Sequence, residues 1–146
     1  MKTYLMENSD EAFRLDLKTD TETVVNQAAW AGLEPGMRVA DIGCGAGKTS
    51  SVLKETTGPN GEVVGVDASE QRIKHARKNY AISGLSFEKY DIKGDLSDLG
   101  SFDFIWMRFV LEYFRDEAFA IVENVTKQLK PGGILCLIDL DHNCLN

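Results

Sequence analysis

The stretch Val39-Ala40-Asp41-Ile42-Gly43-Cys44-Gly45-Ala46-Gly47-Lys48-Thr49-Ser50 sets a short apolar run before three alternating glycines, and a helix-forming sequence follows. Such a pattern predicts a buried strand, a turn whose bare backbone can approach a ligand, and a helix whose first amides face that turn. The closing Gly-Lys-Thr suggests a phosphate-binding loop, which requires Gly, four residues, then Gly-Lys-Ser/Thr. Counting back from Gly47 places Ile42 where that first glycine must stand, and Gly43 lies one residue too close to wrap a phosphate. A dinucleotide loop, Gly-x-Gly-x-x-Gly, fails as well: its third position is Lys48, and the extra glycine comes one residue early at Gly47.

Outward from this loop, the chain alternates between β-branched runs and helical periods. Upstream, Thr19-x-x-Glu22 reads as a capping box. The helix it opens carries Val24, Ala28 and Ala31 with Val25 and Ala29 as its inner stripe, and ends at Gly32 and Pro35-Gly36. Met37 to Ile42 is the first strand. Lys48 to Thr57 is a helix closed by Gly58-Pro59, and Asn60-Gly61 turns into a second strand, Glu62 to Asp67. Ser69 caps a helix running to about Ser83-Gly84, and Ser86 to Asp91 is the third strand. A short link, Ile92 to Ser101, leads to the fourth, Phe102 to Met107. Asp116 opens a last helix stacking Ile121, Val125 and Leu129, stopped by Pro131-Gly132-Gly133 before a fifth strand, Ile134 to Leu140.

Five apolar strands joined by crossovers predict an α/β chain with a doubly wound parallel sheet between two helical layers. Ligands of such sheets bind at the carboxyl ends of the strands, near the switch point beside strand one. Asp67 ends strand two there, 20 residues beyond Gly47. A carboxylate accepts hydroxyl protons of a ribose and repels a 2′-phosphate, so the loop and Asp67 together suit a nucleoside without an essential phosphate.

The 146 residues fit one domain, with residues 1–18 as an N-terminal arm and residues 19–146 as the folded unit. A net charge of -7 disfavours a nucleic-acid-binding surface. The basic cluster Arg72, Lys74, His75, Arg77 and Lys78 reads as the solvated face of one helix. Cys44, Cys136 and Cys144 have neither disulfide-framework nor metal-site spacing, so no metal is expected, and Cys44 reads as a small filler of the loop. The N-terminus lacks an apolar run of signal-peptide length, and no stretch reaches the roughly 18 apolar residues of a membrane span; a cytoplasmic location is the expectation.

VADIGCGAGKTS followed by VVGVDAS resembles the class I S-adenosylmethionine-dependent methyltransferases, and the resemblance continues through Tyr90-Asp91-Ile92, SFDFIWMRFVLEYF and LKPGGILCLID. It implies the Rossmann-like three-layer core of that family, with S-adenosylmethionine as cofactor and S-adenosylhomocysteine as product. Gly43, Gly45 and Gly47 would then lie against the methionine part, and Asp41 would orient its amino group or the loop. Asp67 would hold the ribose, Ala68 would lie beside the adenine, Asp91 and Ile92 would meet the adenine amine, and Arg108 would supply main-chain contact near the amino-acid end. Nothing resembling the family's strands six and seven follows Leu140, so the resemblance implies an incomplete domain.

Methyl transfer from a sulfonium is an in-line displacement that needs alignment and exclusion of water more than a strong base. Consistent with this, no single catalytic residue stands out. Glu112, Tyr113, Asp139, Asp141 and His142 follow strands four and five and are the candidates to face an acceptor, expected to be a small molecule. The other readings are a nucleoside-binding module without catalysis, and an oxidoreductase using NAD or a nucleotide hydrolase, which the two spacing failures disfavour.

Overall fold

The computed structural model describes residues 20–140. The arm, Thr19, Asp141, His142 and Cys144 lie outside them. The elements are α1 (Thr21–Ala31), β1 (Arg38–Ile42), α2 (Lys48–Thr57), β2 (Glu62–Asp67), α3 (Glu70–Asn79), β3 (Leu85–Lys89), β4 (Phe102–Arg108), α4 (Ala118–Thr126) and β5 (Leu129–Ile138), with three single 3-10 turns between β3 and α4.

All five strands are parallel, in the order β3-β2-β1-β4-β5. The chain winds outward from β1 to β3, then returns across the sheet to β4. Right-handed crossovers in opposite directions place α2 and α3 on one face and α4 on the other. The core divides accordingly. Val24 and Ala28 of α1 and Val52 and Leu53 of α2 pack on Val39, Val63, Phe104 and Trp106. Ile121 and Val125 of α4 pack on the other face, with Ala40, Val64, Ile105 and Met107. The β3–β4 return has no α-helix; it buries Ile92, Leu96 and Leu99 against the sheet, and Asn124 Nδ2 of α4 donates to its Ile92 and Gly94 carbonyls, each at 2.8 Å.

Several sequence expectations move. Asp20 takes the N-cap of α1, accepting the Glu22 amide at 3.1 Å. The α1 stripe is narrower than read: Val24 and Ala28 are buried, whereas Val25 and Ala29 face outward. Helix α3 stops at Asn79, because residues 80–84 carry the chain back under α2, where Gly84 (φ 82) leaves no room for a side chain beside Lys54. Leu129 begins β5 instead of continuing α4. Pro131-Gly132-Gly133 forms an irregularity inside β5, where Phe102 pairs with Leu129 but Phe104 with Ile134. Proline has no amide to give the ladder and Gly132 is left-handed, so the pairing skips them.

Gly65, in the middle of β2, faces α2: a Cβ there would lie 2.6 Å from Phe87 Cδ1 and 2.8 Å from Ser50 Oγ. Gly65→Ala is expected to cost about 1–3 kcal/mol by overpacking, read as a lower urea midpoint with unchanged slope.

Candidate functional site

The carboxyl ends of β1, β2 and β4 meet where the strand order reverses. Past Ile42 the loop folds over β2: the amides of Gly43 and Cys44 both donate to the Val66 carbonyl, at 2.7 and 2.9 Å. Two of the loop glycines are required by packing. A Cβ at Gly43 would collide with Val110, and one at Gly47, which is left-handed (φ 100) and precedes α2, would come 2.9 Å from Ala76 and Tyr80. Cys44 is buried in the same loop, and burial, with Asp41 and Asp67 adding to it, pushes its thiol well up, as suits a filler.

Asp67 is buried at the end of β2, and both oxygens of its carboxylate have partners. One oxygen accepts the Gly45 amide at 3.0 Å; the other accepts the Ser69 amide at 2.9 Å and lies 3.6 Å from Arg72 Nη1. Ser69 caps α3 by accepting the Arg72 amide at 3.3 Å. Arg72 is thus not on the solvated face assigned to its cluster. It is 1% exposed, in the first turn of α3, where the helix dipole disfavours a cation and the Asp67 charge offsets that. Lys74, by contrast, is exposed and pairs with Glu70, and Arg77 donates to the Phe87 carbonyl.

Gly43, Asp67, Ala68, Asp91 and Ile92 line one cavity, and Arg72, Val110 and Phe114 line it with them. Asp91 is exposed and also turns the chain, its side chain accepting the Lys93 amide at 2.9 Å. The remaining sequence candidates lie around this cavity, outside its lining. Gly45 reaches Asp67 through its amide, and Gly47 packs on α3.

Asp41 points from β1 to α2, where Ser50 Oγ donates to it at 2.6 Å; both side chains are buried. Burial raises its carboxyl to about 7, with the Ser50 hydrogen bond and Arg108 opposing and the Asp67 charge reinforcing. Arg108 ends β4, its guanidinium 4.6 Å from the Phe109 ring centre; burial lowers its pKa, and Asp41 and Asp20 act against that. Phe109 is the one non-glycine residue with positive φ (58) among those described, and its amide donates to Ile138 at 2.7 Å. This strained turn directs Val110 onto Gly43 and into the cavity wall. Beyond it, Asp139 accepts the Glu112 amide at 3.2 Å, and burial raises the Asp139 carboxyl.

A family model described as a methyltransferase domain matches residues 33–145. The chain belongs to the class I S-adenosylmethionine-dependent methyltransferases. Among curated relatives, the juvenile hormone acid O-methyltransferase of Bombyx mori is 33% identical over 141 residues, which are 94% of this chain and 50% of that protein. The demethylmenaquinone methyltransferase of Lactococcus lactis subsp. lactis (strain IL1403) is 29% identical over 113 residues, 75% of this chain and 44% of that protein. Among solved structures, a SAM-dependent methyltransferase from Aquifex aeolicus superposes with a TM-score of 0.67 at 26% identity, over 91% of this chain and 68% of that one. A protein-L-isoaspartate O-methyltransferase gives 0.69 at 27%, over 86% and 39%. The chain spans about half the length of the curated relatives it matches.

Sequence reasoning missed Arg72, Val110 and Phe114 as cavity residues. For Arg72 a signal existed: it precedes Ile73 and lies four residues before Ala76, both buried. For Val110 none did, since its position follows from the left-handed Phe109.

Two outcomes follow from these charges. Between about pH 4 and 7 Asp41 is ionised in the unfolded chain but protonated in the folded one, so folding takes up a proton and stability falls as pH rises. The slope contributed is at most about 1.4 kcal/mol per pH unit, and Asp41→Asn should remove it, read as the difference in urea stability between the two proteins across that range. Asp67→Ala should destabilise the fold by about 3 kcal/mol or more, because it leaves Arg72 buried without its carboxylate, and Asp67→Asn should do so less; thermal unfolding of both variants checks the order.

Proposed function

We propose that this chain binds S-adenosylmethionine in the Asp67 cavity and forms the cofactor-binding part of a methyltransferase acting on a small-molecule acceptor. The observation that carries this reading is the placement of Asp67, an acceptor-only carboxylate, at the end of β2 beside Gly43, Ala68, Asp91 and Ile92. The residues present fit such a cofactor: Asp67 for ribose hydroxyls, the apolar Ile92, Val110 and Phe114 for a flat base, and Gly43, which brings loop backbone to the cavity wall. When bound, the cofactor supplies an electrophilic methyl group on a sulfonium.

The residues of the chain then have distinct tasks. Asp67 fixes the nucleoside, and the loop from Gly43 to Gly47 lets the amino-acid tail lie close to backbone. Asp41, whose carboxyl burial raises to about 7, would provide a counter-charge to a nearby ammonium group by releasing its proton to solvent. Arg108 contributes main chain at the end of β4. Glu112, Tyr113 and Asp139 lie past the carboxyl ends of β4 and β5, and on this reading they would be the described residues near an acceptor. No group of metal-ligating side chains occurs among the described residues, and no described helix is long and apolar enough to cross a membrane. The two curated relatives named above act, by their names, on juvenile hormone acid and on demethylmenaquinone, whereas the solved protein-L-isoaspartate O-methyltransferase acts, by its name, on a protein. The net charge of -7 favours a small-molecule acceptor over a polyanion.

Calorimetric titration tests the reading. S-adenosylmethionine and S-adenosylhomocysteine should bind, and NAD and ATP should bind far more weakly. Loss of the charged acceptor in Asp67→Asn should weaken both sulfur nucleosides about tenfold, whereas Lys48→Ala should change them by less than about threefold. Unchanged affinity in folded Asp67→Asn, or tighter binding of NAD or ATP, would contradict it.

A further inference from the structure

We propose that Arg72 is a specificity residue for the ribose diol, donating to hydroxyl oxygens whose protons Asp67 accepts. The inference rests on the reading of this cavity as the nucleoside pocket. Four observations converge on it. Arg72 is 1% exposed, although Lys74, Arg77 and Lys78 of the same helix are exposed. Its guanidinium lies 3.6 Å from the carboxylate that ends β2. Arg72 and Asp67 line the same cavity, as buried parts of its wall. The cation occupies the first turn of α3, a place set by the Ser69 cap, whose oxygen accepts the Arg72 amide.

Hydrogen-bonding chemistry gives this pair its meaning. Each hydroxyl of a diol is one donor and two acceptors; a carboxylate is acceptor-only and a guanidinium donor-only. Asp67 alone would satisfy the hydroxyl protons and leave the hydroxyl oxygens facing a partly dry wall. Beside Arg72 both halves of a hydroxyl find partners, and the pair stays neutral overall, so a neutral ribose meets no uncompensated charge. A ligand lacking one hydroxyl loses its contacts with both members of the pair, which is how a site built for hydroxyls discriminates against deoxy compounds.

The experiment compares S-adenosylhomocysteine with its 2′-deoxy and 3′-deoxy analogues by calorimetric titration of the chain, Arg72→Met and Arg72→Lys. In the unaltered chain at least one deoxy analogue should bind about tenfold more weakly than the parent. Arg72→Met should weaken the parent about tenfold but that analogue by less than about threefold, so that discrimination largely disappears. Arg72→Lys keeps the charge without the planar fork and should give an intermediate ratio. Equal weakening of all three ligands in Arg72→Met, with the original ratio preserved, would make Arg72 a structural residue only and overturn the inference. Should Arg72→Met fail to fold, an unchanged ratio in Arg72→Lys overturns it as well. A folded, unaltered chain that binds none of the three would instead overturn the nucleoside reading on which the inference stands.

Discussion

The carboxylate of Asp67 receives the Gly45 amide from the loop after β1, the Ser69 amide from the cap of α3, and the charge of Arg72 from the first turn of that helix. One buried side chain thereby joins the ends of two strands and the start of a helix. The parallel sheet makes this possible, because it collects the carboxyl ends of β1 and β2 side by side, paired in register from Arg38–Glu62 to Ile42–Val66. The loop is held to β2 twice, through its own backbone at Val66 and through Asp67, so it keeps its shape without a bound anion. That is the physical contrast with a phosphate loop, whose amides converge on the ligand.

A second buried carboxyl nearby is treated differently. Asp41 accepts from the Ser50 hydroxyl and feels the Arg108 charge, but burial outweighs both and raises its pKa to about 7. Asp67 and Asp41 repel each other, and the fold accommodates both by pairing one with Arg72 and leaving the other easily protonated. The outcome is one buried carboxyl held against a guanidinium and a second, acted on by Arg108, whose protonation follows pH.

The alternation of apolar runs and glycine breaks in the sequence reads directly as a parallel α/β fold, because each signal is local. Glu62–Asp67 and Lys48–Thr57 have the bounds that Asn60-Gly61 and Gly58-Pro59 announce. Asp67 was likewise legible, as an acid at the end of an apolar strand. The failures are cases where one local signal serves two structures. Pro131-Gly132-Gly133 marks a helix stop and a strand irregularity equally well, and tertiary pairing with β4 decides for the second. Asp20 and Thr19 are both capping residues, one position apart, and the structure uses Asp20. Arg72 was hidden by averaging over a basic cluster, although its spacing from Ala76 placed it on the buried stripe. The left-handed turn at Phe109 has no sequence signature, since a bulky residue rarely adopts it, and with it went the contribution of Val110.

A crystal structure of the chain with S-adenosylhomocysteine tests the central claim, that the node tying the loop to α3 is also the acceptor for the nucleoside. The account predicts a ribose hydroxyl within hydrogen-bond distance of Asp67 while the Gly45 amide remains on the same carboxylate. A nucleoside seated elsewhere, or an Asp67 that keeps only its Gly45, Ser69 and Arg72 partners in the complex, would contradict it.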